Sequence, residues 1–166
     1  SMPDAVARGV VWAALWNAVR DGELAASVYL AIAADHASRE SHPALLSDVL
    51  AHAAFAIRHY VSDVERASAA WLEGAWRAMA AADAGSDAQL IWARAVGVAA
   101  ELSGDRAAEM SAILAGEAPA PAGLPLDPDL RWGWLFGLAA SGHADATRID
   151  AEAERDATAS GRTARL

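Results

Sequence analysis

The chain has 166 residues, no cysteine, and a net charge of −9 from 13 basic and 22 acidic groups. The acidic balance works against nucleic acid, whose binding needs cationic groups that release phosphate counterions, and against an anionic membrane surface. Missing thiols exclude disulfides, thiolate metal sites and cysteine nucleophiles. "VVWAALWNAV" (10–19) is apolar, but it falls short of the ~20 residues of a membrane span and is bracketed by Arg8 and Arg20. Every basic residue is arginine and more than a quarter of all residues are alanine, the mark of a GC-rich bacterial coding bias. A cysteine-free chain suits a reducing cytoplasm, the compartment expected here.

Ser1-Met2 reads as a tag scar, leaving residues 3–166 as a single helical domain. Pro3-Asp4 opens the first helix, Pro near N1. Val10, Leu15 and Val19 lie near one face, with Trp12 and Trp16 beside them, and Gly22 closes it as a C′ glycine. A second helix is expected from about Glu23 to Ser38. Ser41-His42-Pro43 starts a third, with Leu46, Leu50, Ala53, Ala54 and Ile57 inside, ending near Tyr60. Ser62 and Glu65 have the spacing of a capping box for a fourth, which carries Trp71, Leu72, Ala75 and Met79 inward and stops at Gly85. Ser86 caps a fifth, running to Gly104, and Asp105 begins a sixth, through Met110, Ile113 and Leu114 to Gly116. "EAPAPAGLPLDP" (117–128) holds four prolines and a glycine and is the one real loop. Asp127-Pro128 caps the seventh helix, which Gly142 ends; the eighth is "DATRIDAEAERDATAS", closed by Gly161.

No stretch alternates in the manner of a strand, so the fold class is all-α. Short joints between eight helices favour antiparallel helix hairpins stacked as a HEAT/armadillo-like α-α superhelix, with a closed helical bundle as the alternative. Gly133 and Gly137, four apart, mark a groove where another helix can approach closely.

The chemistry is sparse. His52 and His59 are two turns apart, about 10.5 Å along the axis, too far to share one zinc ion. His36 and Glu40 are four apart and within reach of each other. No GxSxG elbow and no glycine-rich phosphate loop is present. Ser103-Gly104-Asp105 and Ser141-Gly142-His143 fall in joints, where caps belong. Asp150, Glu152, Glu154 and Asp156 spread around a helix and read as a solvated face, with Glu152, Arg155 and Asp156 in exposed ion pairs. The tryptophans read as core filling between alanines, except that one of Trp132 and Trp134 is expected to be exposed at a contact surface. An acid–base enzyme using Glu101 or His59 would need both in one pocket, which their spacing does not suggest. No catalytic, cofactor-binding or metal residue is assigned.

Three stretches go further. "VARGVVWAALWNAVRDGEL" (6–24), "GSDAQLIWARAV" (85–96) and "IDAEAERDATASGRTA" (149–164) resemble, in order, the C-terminal helical domain of bacterial aminopeptidase N, a zinc metallopeptidase family. The telling residues are Trp12, Leu15, Trp16 and Arg20-Asp21; Ser86-Asp87, Gln89-Leu90 and Trp92-Ala93-Arg94; and Asp150-Ala151-Glu152, Arg155-Asp156, Thr158 and Gly161. The resemblance implies a segment cut at both ends, corresponding to the front and middle of that domain. It implies a zinc site, HExxH with a downstream glutamate, in a preceding thermolysin-like catalytic domain, as well as a GxMEN-type segment there; neither motif occurs here. It implies a curved HEAT-like stack that encloses a cavity over the zinc, admitting peptide substrates and excluding folded proteins. The partners expected are the catalytic domain of the same polypeptide and peptides, with no zinc in this segment. Weak self-association through the last helices is expected where further helices of the domain would otherwise follow. The competing reading is a free-standing helical-repeat module that binds another protein.

Overall fold

The computed structural model describes residues 4–156 and is helical throughout, with no strand among the described residues. Eight α-helices follow in order: α1 (Ala5–Arg20), α2 (Ala26–His36), α3 (Pro43–Tyr60), α4 (Val64–Ala81), α5 (Asp87–Ala100), α6 (Ala107–Ala115), α7 (Pro128–Ala140) and α8 (Ala146–Arg155). The chain divides into two compact units, with the boundary after Ala67 in the first turn of α4.

The caps explain most boundaries. Asp4, Ser86, Asp127 and Asp145 each accept a backbone N–H from the first turn of α1, α5, α7 and α8. The Ser62–Glu65 box is replaced by the next residue: the Asp63 carboxylate accepts from Arg66 N–H at 3.1 Å. α2 starts at Ala26 rather than Glu23, because Glu23 and Leu24 N–H both turn back to the Ala18 carbonyl and finish α1. That Schellman-type closure needs Gly22 at φ 75°. α2 passes into a short 3-10 turn, Ala37–Arg39. α4 ends at Ala81, ahead of the turn with Gly85, and α5 ends at Ala100, four residues before Gly104. α6 begins at Ala107 instead of Asp105 and is capped by left-handed Gly116. α8 ends at Arg155; the expected continuation to Ser160 and closure at Gly161 lie outside the described residues.

In the first unit, α1 packs on α2 and α3, and α2 on α3. The core is Val19, Tyr29, Ala33, Leu46, Val49, Leu50, Ala53 and Ile57, so the α3 pattern of inward residues holds, with Ala54 only partly covered. Val10 does not share this face: it is 64% exposed, as is Val6 at 74%. α1 is apolar on both sides, and its periodicity therefore marked no single inner face. Trp12 and Trp16 are half-buried, not core. Tyr29 is fully buried with its hydroxyl 3.4 Å from the Val49 carbonyl, and burial pushes the phenol pKa up.

In the second unit α5 and α7 form the main contact. Glycine sets it: a Cβ on Gly137 would collide with the Gly97 carbonyl, and one on Gly97 would sit 3.1 Å from both the Gly133 carbonyl and the Trp134 ring. The expected close approach at Gly137 is therefore real. Gly133, by contrast, faces open space and contributes only its carbonyl. α4 holds on through large rings, with Trp71 6.5 Å from Trp92 and Trp76 5.8 Å from Trp134. Trp71, Leu72, Ala75 and Met79 are buried as expected, and so are Met110, Ile113 and Leu114 of α6.

Candidate functional site

Two constellations stand out, one in each unit. In the first unit Trp16 is the hub. His52 stacks on it at 4.4 Å and 12°, Phe55 meets it edge-on at 5.9 Å, and Tyr60 lies 6.2 Å away. His59 leans on Phe55 at 4.2 Å. Phe55 and Tyr60 are 45% and 47% exposed, so the cluster opens to solvent. The pKa of His52 is lowered, first by burial against the rings and secondarily by Arg20; Asp48 opposes. The α1 face of this unit is fastened by Arg8, which donates through Nε and Nη2 to the Glu40 carboxylate at 2.8–3.2 Å. Glu40 also accepts from His42 N–H at 2.9 Å. These donors, Arg8 foremost, hold its pKa below the usual carboxylate value. The expected His36–Glu40 contact is thus superseded: an arginine from another helix supplies two donors where a histidine supplies one.

In the second unit α8 is anchored by buried acids. Arg131 of α7 donates to both Glu152 oxygens at 2.6 Å and to the Leu114 carbonyl at 2.9 Å. Trp132 Nε1 donates to Asp156 at 2.9 Å. Glu152 and Asp156 are only 8% and 6% exposed, whereas Asp150 and Glu154 are solvated. Half of the acidic row is therefore turned inward, against the expectation of a solvated face and of exposed pairs with Arg155. Positions 152 and 156 are four apart and share one side of the helix, and the donors they accept from lie on α7, 20-odd residues earlier. Trp132 and Trp134 are both buried, which corrects the expectation that one is exposed; each indole N–H finds an acceptor, Trp134 on the Ala93 carbonyl at 2.8 Å.

Above the Arg131–Glu152 pair a cleft of about 190 Å³ opens between α6, α7 and α8. Ser111, Leu114, Leu135, Arg148 and Arg155 line it. A neighbouring hollow shares Arg131, Glu152 and Arg155 and adds Asp156. No feature of the sequence marked this cleft, because it is assembled from three helices at once.

Other polar residues serve the framework. Gln89 accepts from Gly85 N–H at 2.8 Å and donates to the Ala122 carbonyl at 3.0 Å, clipping the 117–128 loop to the turn before α5. Gly123 makes this fit, since a Cβ there would strike Ala84 and Gly85 backbone. The Asp105 N–H donates to Ser103 Oγ at 3.4 Å, and Ser141 Oγ donates to the Gly137 carbonyl at 3.0 Å. Gly104 leaves room for the His143 ring. Arg106 bridges Glu73 and Glu109 and lies 5.2 Å over Trp76. His59 and Glu101 fall in different units. Among the described residues no three His, Asp or Glu side chains are grouped to hold a metal ion. No helix among the described residues is long and apolar enough to cross a membrane.

The distinctive side chains of both units clamp helices to one another, and comparison with known proteins places this helical chain in a family. The chain belongs to the ERAP1-like C-terminal domain family, whose model matches residues 1–166. It is similar to the protein named Aminopeptidase N of Streptomyces lividans, with 34% identity over 160 residues. That match takes in 95% of this chain and 18% of the relative, so the chain spans less than a fifth of that protein's length. The quoted stretches that carry the resemblance hold caps and clamps: Ser86, Gln89, Trp92, Ala93, Glu152 and Asp156 all hold elements together.

Proposed function

We propose that this chain is a non-catalytic helical portion of the C-terminal domain of a bacterial zinc aminopeptidase. In this reading it works in the cytoplasm and walls the cavity through which peptides reach a catalytic domain of the same polypeptide. The observation that carries the reading is the family match over the whole chain, together with 34% identity to a small share of Aminopeptidase N. The side-chain inventory supports it: polar groups are spent on caps and interhelical clamps, and the metal and its chemistry are assigned to the catalytic domain. Stacking of the helix hairpins in HEAT-like fashion would supply the concave wall such a cavity needs. An acidic wall attracts cationic peptide amino termini over long range, an effect that salt weakens. Self-association through the last helices remains part of this reading, with a concentration-dependent sedimentation coefficient as its signature.

The test compares the isolated 166-residue chain with the full-length polypeptide from the same gene. The reading expects an HExxH motif upstream in the reading frame. It expects aminoacyl-arylamide cleavage and one bound zinc in the full-length protein, and neither in the isolated chain. Stoichiometric zinc on the isolated chain overturns it. The cavity role is tested separately: the full-length enzyme should trim short peptides and spare a folded protein bearing the same amino terminus. Equal trimming of both removes the cavity from the proposal.

A further inference from the structure

The cleft between α6, α7 and α8 has a charge opposite to that of the chain. Arg148, Ala151, Glu152 and Arg155 occupy positions i, i+3, i+4 and i+7 of α8 and all line it. The acids Asp150 and Glu154 lie about 200–240° around the helix from Arg148, on its far side. On the floor, Arg131 and Glu152 neutralise each other at 2.6 Å. Arg148 donates from Nη1 to Ser111 Oγ at 2.6 Å, a hydroxyl rather than a carboxylate. Among the described residues no carboxylate pairs with Arg148 or Arg155. Among its described lining residues Arg131, Arg148 and Arg155 stand against Glu152, a net charge of +2 in a chain whose net charge is −9, while the Asp156 carboxylate of the adjoining hollow accepts from Trp132 Nε1. The cleft has a volume of about 190 Å³ and an apolar side formed by Leu114, Ala115 and Leu135.

We infer that this cleft is a binding site for a tetrahedral oxyanion dianion, a phosphate group, held between the Arg148 and Arg155 guanidiniums with Ser111 Oγ as a further donor. Two cations match a charge of −2, and planar guanidinium forks match phosphate oxygens. The buried Arg131–Glu152 pair and the Arg148–Ser111 bond hold α8 against α6 and α7, so the helix that carries both arginines is in place before the anion arrives. The bound group is free phosphate or a phosphate monoester; both present the same chemistry to the two arginines.

The test is a titration of the 166-residue chain with inorganic phosphate at pH 8, ionic strength held constant with sodium chloride, followed by two-dimensional amide NMR. Saturable shifts confined to Ser111, Arg148, Arg155 and their neighbours are expected. Arg148→Gln and Arg155→Gln should each weaken binding about tenfold, the loss expected for one charge-assisted hydrogen bond. Arg94→Gln, on the exposed side of α5, should leave it unchanged. Melting temperatures within a degree or so of the parent for all three variants separate loss of binding from loss of fold. Acetate at the same concentrations should bind much more weakly. O-phosphoserine displacing phosphate from the same residues identifies a monoester as the ligand, and its exclusion identifies the free ion; either supports the site. Linear, unsaturating shifts spread over many arginines overturn the inference, as does acetate binding as tight as phosphate.

Discussion

The two units use the same residue types in opposite ways. In the first, tryptophans are half-open: Trp12 and Trp16 sit at the surface of a cluster that leaves Phe55 and Tyr60 exposed. In the second, all five tryptophans are buried, and two of them carry an indole hydrogen bond to a fixed acceptor. Glycine explains much of the difference. Gly97 and Gly137 let α5 and α7 touch backbone to backbone, and Gly97 also makes room for the Trp134 ring. In the first unit the one glycine within α1, Gly9, meets a flexible Leu45 side chain instead of another backbone. Rings enclose when small residues bring helices together, and spread over the surface when they do not.

Substitutions can break this contrast. The largest effect expected is at Trp134: Trp134→Ala removes a fully buried ring together with its hydrogen bond to the Ala93 carbonyl, and should cost ~3–5 kcal/mol in urea unfolding. Trp12→Ala should cost only ~1–2 kcal/mol, since its ring is already half in water. Equal losses at the two positions would abolish the distinction between enclosing and covering rings.

Breaking the floor of the cleft comes next. Arg131→Met leaves Glu152 buried without its partner and should cost ~3–4 kcal/mol. The double variant Arg131→Met with Glu152→Leu should recover most of that loss, because neither charge of the pair is then left buried without the other. A double-mutant cycle with no coupling would show that the pair is not the anchor of α8.

The glycines sharpen the comparison at smaller energies. Gly137→Ala drives a methyl group into the Gly97 carbonyl and should destabilise by ~1–3 kcal/mol. Gly133→Ala, one turn away, meets nothing within 4 Å and should stabilise by up to ~1 kcal/mol through helix propensity. Opposite signs for two alanines on one helix are the outcome to look for in thermal melts.

The smallest effect is a pH response of the first unit. The pKa of His52 lies below its ordinary value of 6.5, so the folded chain holds fewer protons than the unfolded chain between the two values. Its contribution is complete above pH 6.5 and is lost as pH falls through the folded pKa. His52→Gln should flatten stability in that window, and a slope unchanged from the parent would show that burial against Trp16 does not govern it. Glu40, also depressed, acts in a lower window: its contribution is present above its ordinary 4.5 and lost below, as pH falls through its folded value.

Much of the fold was legible because helix formation is local. Asp4, Ser86, Asp127 and Gly116 announce helix ends through bonds made within a turn, and so these boundaries read correctly. Inner faces were legible on α3 and α4, where a periodic apolar pattern has one polar side, and on α6 through its large apolar residues Met110, Ile113 and Leu114. α1 was not legible, since valines lie all around it and only the placement of α2 and α3 selects Val19 over Val10. The cleft was hidden for a related reason. Arg131, Ser111 and Arg148 lie far apart in the chain, and only packing brings them together.

Read without any structure, the residues already show that the chain is helical, where most helices start and stop, and, through words spread along it, its kinship. Propensity, capping and glycine conformation act over a few residues and require no partner. Tertiary structure alone decided which charges are buried and which rings are covered. Whether Glu152 is solvated or clamped depends on whether Arg131 stands opposite it, and that is a property of two helices in contact rather than of either one.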